Sequence, residues 1–251
     1  MDLRCYLAMT CAEFQAADIL PPHIAWMACH FSSYGTGLSN VPTDMPPGSM
    51  LIVNDRIPVY KHDPQRILKQ LYQCIEQFTI SGVLLDFQRP NCPDTAHITQ
   101  LLTSQLSCPI AVTAPYAADL SCAVFLPPPP LHVPLSSHIA PWSGREIWLE
   151  IAVENQCFSV TPAGSSYTLQ PFQPLKDPCF SHNALHCKYQ IEVNRNHAVF
   201  TLSRDPEMLG QLLKEADSLG IRIGFGLYQQ LQDIPQTETA NLSCQQPSNC
   251  L

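Results

Sequence analysis

The residues of this 251-residue chain best placed to do chemistry are carboxylates and amides that end short apolar runs. Asn54 and Asp55 follow Leu51-Ile52-Val53, Asp86 and Gln88 close Val83-Leu84-Leu85-Asp86-Phe87-Gln88, and Glu150 follows Ile147-Trp148-Leu149. Tyr116 lies just past another such run, and Tyr228 just past the last. Carboxylates and amides hydrogen-bond hydroxyl groups, and aromatic rings offer flat apolar faces with a polar tip. Gathered on one rim, these side chains suit a sugar-like ligand. Arg56 and Arg89 stand beside the acids in sequence, so the same carboxylates also read as rim ion pairs or helix caps.

Other chemistries are less well supported. Cys179, His182, His186 and Cys187 have ligand types that zinc prefers, but no second paired-cysteine knuckle accompanies them. No metal is therefore expected, and no cofactor. There is no Gly-x-Ser-x-Gly elbow, no phosphate-binding Walker loop and no His-Glu-x-x-His. Cys29 and His30 are adjacent and would face opposite sides of a strand, which argues against a nucleophile–base pair.

The elements that must position the candidates are short and mostly apolar throughout. Residues 4–9, 24–30, 50–54, 82–87, 110–114, 123–126, 146–151 and 221–227 read as eight strands covered on both faces. Helical spacers alternate with them. Residues 63–78 carry a capping Asp63, Pro64 at the first helical position and an apolar stripe from Ile67 to Phe78. Residues 94–106 and 206–219 give two more helices, the latter stopped by Gly220. Thr10 and Glu13 form a capping box for a short one. Eight strands in about 250 residues predict an α/β fold, a (β/α)8 TIM-like barrel, whose site lies at the C-terminal strand ends. An open doubly wound sheet is the alternative, but no glycine-rich loop follows the first strand.

Only residues 115–122 separate the fifth and sixth strands, too few for a full helix, so the outer helices are irregular. Residues 156–160, 166–169, 189–193 and 198–202 read instead as antiparallel strands, with a turn at 194–197. They define an insertion over about 154–204, before the last strand, within one barrel domain of residues 1–231. Residues 127–130 are a polyproline segment. Residues 232–251 are polar and aperiodic and are expected to be a disordered tail.

The stretch Ser81-Gly82-Val83-Leu84-Leu85-Asp86-Phe87-Gln88 resembles the fourth-strand signature of family 18 glycoside hydrolases, the chitinase-like barrels, Asp-Gly-x-Asp-x-Asp-x-Glu. Gly82 and Asp86 match, and Phe87 stands at an aromatic position. Ser81, Leu84 and Gln88 depart from the pattern. The resemblance implies a saccharide-processing barrel with Asp86 and Gln88 pointing into its mouth. In that family the last position is the glutamic acid that protonates the leaving oxygen, while the substrate's acetamido group is the nucleophile. Glutamine cannot act as that acid. Two expectations follow. Either Asp86 and Glu150 form a catalytic carboxyl pair, as at strands four and seven of other barrel glycosidases, or the protein is a non-catalytic carbohydrate-binding or interaction scaffold. In both, Asn54, Asp55, Gln88, Tyr116 and Tyr228 bind ligand.

Composition narrows the partners. The net charge is −8, with 13 basic and 21 acidic residues, which argues against nucleic-acid binding. No apolar run has membrane-spanning length and no signal-peptide pattern opens the chain, so a cytoplasmic location away from membranes is expected. The 12 cysteines are scattered rather than framed, which reads as reduced structural thiols. No sequence feature fixes an oligomeric state.

Overall fold

Strands apolar at both parities must be covered on both faces, and a sheet closed on itself inside a ring of helices does this. The computed structural model describes residues 2–33, 37–56, 63–89 and 92–232. The chain runs through β1 (Arg4–Met9), α1 (Cys11–Ala16), β2 (Ile24–Phe31), β3 (Leu38–Ser39), β4 (Met50–Asn54), α2 (Pro64–Phe78), β5 (Gly82–Asp86) and α3 (Pro93–Gln105). It continues through β6 (Ile110–Thr113), α4 (Ala114–Ala117), β7 (Ala123–Leu126), α5 (Leu135–Ile139) and β8 (Ile147–Glu150). An excursion follows: β9 (Glu154–Thr161), β10 (Gly164–Pro171), β11 (Phe180–His182), β12 (Cys187–Asn194) and β13 (His197–Arg204). The chain then returns through α6 (Pro206–Ser218), β14 (Ile223–Leu227) and α7 (Tyr228–Leu231).

Eight parallel strands pair in the order β1-β14-β8-β7-β6-β5-β4-β2, and β1 pairs with β2 to close the ring. The fold is the TIM-like barrel expected, with an antiparallel sheet inserted before the last strand. Its outer layer is uneven: α2, α3 and α6 are full helices, whereas α4 and α5 have 4 and 5 residues. The antiparallel β3 stands where a helix would follow β2.

Strand alternation divides the core in two. Side chains such as Tyr6, Ile52, Leu84, Phe125, Trp148 and Phe225 fill the bore. Their neighbours, such as Val53, Val83, Leu85, Val112, Val124 and Leu149, pack outward under the helices. In the bore, Phe225 stacks on Trp148 at 5.6 Å and on Tyr6 at 5.8 Å and meets Phe125 edge-on at 5.8 Å. Ala25, Ala111 and Ala123 provide the small positions that let these rings interdigitate.

The helices start where their sequences say they should. Asp63 accepts from Arg66 N ahead of α2, Asp205 accepts from Met208 N ahead of α6, and Thr10 with Glu13 closes a capping box on α1. Helix α2 buries Ile67, Leu68, Leu71, Cys74 and Phe78 against the sheet.

The antiparallel sheet, ordered β10-β9-β13-β12-β11, is fastened to the barrel by the polyproline segment. Leu131 N donates to Gln156 Oε1 at 2.9 Å, and the fully buried Arg204 donates from Nη2 to Pro129 O at 3.0 Å. Residues 233–251, most of the expected tail, lie outside the described residues.

Gly82 opens β5 where three neighbours leave no room for a side chain. A Cβ there would meet Met50 Sδ at 2.9 Å, Pro109 O at 2.9 Å and Trp148 Cη2 at 3.1 Å. Because one of these is backbone, relief requires strand movement. Gly82→Ala is predicted to cost about 1–3 kcal/mol as an overpacked core, read as a lower urea midpoint. An unchanged midpoint would show that β5 can shift freely.

Candidate functional site

The aromatic filling stops short of the C-terminal strand ends and leaves a cavity of about 420 Å3 there. Its floor is apolar, formed by Met27, Ile52, Leu84, Phe125 and Phe225. Its rim carries Asn54, Asp55, Arg56, Asp86, Gln88, Arg89 and Glu150. Inward parity explains several placements at once: Leu84, Asp86 and Gln88 lie two apart, as do Ile52 with Asn54 and Trp148 with Glu150.

Gln88 lines the mouth and donates from Nε2 to Asp86 Oδ1 at 2.5 Å. Its backbone is held from below by Asp55, whose Oδ1 accepts from Gln88 N at 2.9 Å and whose Oδ2 accepts from Arg89 N at 3.1 Å. Asp55 is buried and so acts mainly as a brace for the chain after β5. Asn54 is likewise engaged: its Nδ2 donates to Cys29 O at 3.2 Å and its Oδ1 accepts from Arg56 N at 3.2 Å. The Arg89 guanidinium donates from Nη2 to Arg56 O at 2.6 Å, which ties the two rim loops together.

The carboxylates of the mouth resist ionisation. Burial raises the Asp86 pKa, with a further contribution from the Asp55 charge, while the Gln88 hydrogen bond opposes the rise. Glu150 is pushed up to about 7, first by burial and then by the charges of Asp86 and Glu154. A buried carboxyl that titrates near neutrality, facing a cavity beside a second carboxyl, can hold and release a proton at working pH.

Five of the seven expected site residues, Asn54, Asp55, Asp86, Gln88 and Glu150, therefore meet in one cavity. Tyr116 and Tyr228 are not part of its lining. Tyr228 follows the inward-facing Leu227, so strand parity turns it outward, where it packs on the outer core at the start of α7. Tyr116 sits in α4, edge-on to Phe87 at 6.1 Å, and its hydroxyl donates to the Arg89 carbonyl. Tyr116 thus supports the rim from behind, whereas Tyr228 belongs to the outer core. Sequence reasoning missed the apolar floor, above all Met27 and Phe125. Their inward parity on β2 and β7 was the available signal.

The Cys179, His182, His186 and Cys187 group is dispersed. His186 pairs with Glu215, Cys187 is buried with its Sγ 3.6 Å from Leu131 O, and His182 is exposed on β11. Among the described residues no three His, Cys, Asp or Glu side chains are gathered as ligands for a metal ion. The ten described cysteines are free thiols.

The site and the barrel together define the class: a (β/α)8 barrel with an acidic, amide-bearing mouth. Among solved structures, it is similar to a glycoside hydrolase family 18 chitinase from Cycas revoluta, a double variant in complex with a tetramer of N-acetylglucosamine. The TM-score is 0.58 at 11% identity, covering 93% of this chain and 97% of that one. The class V chitinase from Nicotiana tobaccum matches with a TM-score of 0.55 at 9% identity, covering 88% and 92%. The Bacillus megaterium spore cortex-lytic enzyme SleL matches with a TM-score of 0.55 at 10% identity, covering 94% and 72%. At such identities the likeness is one of fold. No protein-family model and no curated protein matches the sequence.

Glu150 makes stability depend on pH. Its pKa rises from an ordinary 4.5 to about 7 on folding, so between these values the native state binds the proton that the unfolded chain has released. Stability through this group is therefore fully present below about pH 4.5, falls as pH rises and levels off above 7, by at most about 3 kcal/mol. Glu150→Gln removes the titration. The variant is expected to gain on the wild type in urea midpoint at pH 8 but not at pH 4.5. Identical pH slopes for the two proteins would contradict the assignment.

Proposed function

We propose that the barrel mouth binds a saccharide of the chitooligosaccharide type, with Asp86, Gln88 and Glu150 meeting its polar groups and Phe125 and Met27 underneath. The observation that carries this reading is the Asp86–Gln88 pair. It lies inside the mouth, on consecutive inward positions of the strand whose sequence resembles the family 18 signature. With an amide in place of the acid, the pair offers donors and acceptors to hydroxyl or acetamido groups but no proton to a leaving group. Neighbouring folds support such binding: a glutamate-to-glutamine variant of the Nicotiana tobaccum chitinase is in complex with an N-acetylglucosamine tetramer. The direct test is calorimetric titration with that tetramer, with cellotetraose as the comparison. Asp86→Ala and Gln88→Ala are each expected to weaken tetramer binding by about tenfold or more, the loss of one charged or paired hydrogen-bonding group. No heat with the tetramer, or equal affinity for cellotetraose, would overturn the reading.

A second reading, hydrolysis, is favoured by Glu150. Its pKa of about 7 suits a proton donor at neutral pH, with Asp86 as its partner carboxylate. A screen on chromogenic N-acetylglucosaminides separates the two. Wild-type turnover that disappears in both Asp86→Asn and Glu150→Gln supports the enzyme. An inactive wild type that gains slow cleavage with Gln88→Glu supports the binding barrel. The introduced carboxyl would have its pKa raised by Asp86, and general acid catalysis contributes about 10²–10⁴-fold. Leu84, where the family signature has another acid, keeps that gain low.

A further inference from the structure

The inserted sheet is two-faced, and one face is covered by the described residues only at its root. Registered pairs place Tyr167, Phe158, Phe200 and Ile191 in one row across β10, β9, β13 and β12. The rows on either side of it are Leu169, Gln156, Leu202, Tyr189 and Phe180, and Ser165, Val160, Ala198 and Val193. Directly opposed residues of an antiparallel pair share a face, so these rows form a single apolar surface. The opposite face alternates in Ser, Thr, Asn, Gln, Lys and Glu.

Only the root of the apolar face is covered. Gln156 and Cys187 are buried there, and His132 packs edge-on against Phe158 at 5.2 Å. Farther out, Val193 is 73% exposed, Leu169 60%, Phe180 54% and Tyr167 50%. An antiparallel sheet ordinarily turns its polar face to water and packs the other on a second layer. Among the described residues no second layer covers this outer part of the face.

We propose that this face is covered by the same face of a second copy, giving a two-fold sheet-on-sheet dimer. Area is the first argument. The exposed parts of its large apolar side chains amount to roughly 600 Å2 per copy, at the upper limit of patches on monomers, and two copies reach the size of a stable interface. Charge is the second. The three rows contain no Asp, Glu, Lys or Arg, so a chain of net charge −8 can bring two copies together here without opposing like charges. Chemistry is the third. Val160, Leu169, Ile191 and Val193 offer a saccharide no hydrogen-bonding partner and the Gln156 amide is already bonded to Glu154 and Leu131, which leaves only the Tyr167, Tyr189 and Ser165 hydroxyls of the three rows. Aligned packing of two such sheets also lets an isologous patch complement itself.

The test is sedimentation velocity on the full chain from 1 to 200 µM, alongside Leu169→Glu and Val193→Glu. Both positions are more than half exposed, so the fold tolerates the change, and circular dichroism checks it. The wild type is expected to be a dimer. Each variant should shift the dimerisation constant by roughly 30-fold or more, as charges buried at an interface centre do. A wild type that stays monomeric at 200 µM overturns the proposal. So does a dimer that both folded variants leave intact. So does a monomer whose N-acetylglucosamine tetramer binding is lost in Leu169→Glu, since that makes a sugar the occupant.

Discussion

The ring cluster around Phe225 is the constraint on which the rest of the molecule depends. A barrel of eight strands has an interior that side chains can just fill, so a hollow remains where that filling stops. Here Tyr6, Trp148, Phe125 and Phe225 occupy the bore as one stacked unit. Trp148 is fully buried and still satisfies its indole N–H, on Glu146 Oε1 at 2.9 Å. The alanines of β2, β6 and β7 and the bare Gly82 exist in relation to these rings. Because the filling ends at Phe125 and Phe225, the polar residues two positions farther along the strands necessarily surround a hollow.

That hollow is arranged against the stability of the fold. Burial raises the pKa of both Asp86 and Glu150 in the desolvated mouth, and the Asp86 charge adds to the rise at Glu150. The rim arginines do not relieve them fully, since Arg89 spends hydrogen-bonding capacity on the Arg56 carbonyl. Asp55, by contrast, is satisfied by two backbone N–H groups and braces the segment that carries Gln88. One carboxylate thus pays structural rent while two remain available. Perturbed carboxyls that face a cavity rather than charged partners distinguish this mouth from a set of structural ion pairs.

Much of this was legible in the sequence because the barrel's strands are apolar at both parities and nothing else in the chain is. The insertion was legible because its segments alternate instead. The strand-end residues were legible because parity carries past a strand's last hydrogen bond, as from Asp86 to Gln88. The failures have local causes. Tyr228 was placed in the mouth although it follows inward-facing Leu227 and so faces out. Tyr116 could not be placed by parity, because β6 gives way to α4 at Ala114 with no loop between. The irregular register of β2 between Trp26 and Cys29 leaves Met27 in the bore with Ala25, as parity expects, but turns both Ala28 and Cys29 under the outer layer, a break no pattern announces. The role of Asp55 was hidden for another reason: its partners are backbone groups 33 and 34 residues away.

The low charge content, 14% of the chain, makes the location of each buried charge informative. Neither face of the barrel sheet carries any below the rim, and the apolar face of the inserted sheet carries them only at its root, as Glu154 and Arg204. The exceptions sit in one continuous zone, from Asp55 and Asp86 through Glu150 to Glu154 and Arg204 at the root of the insertion. Glu154 stands 3.9 Å from Arg204 and also adds to the charge that Glu150 feels. Arg204 is buried beneath the polyproline segment, and burial lowers its pKa to about 10 despite the opposing pull of Glu154. Each of these groups costs folding free energy that an apolar residue would not. Their contiguity means that the insertion is not an independent appendage: its root and the mouth of the barrel share one electrostatic environment.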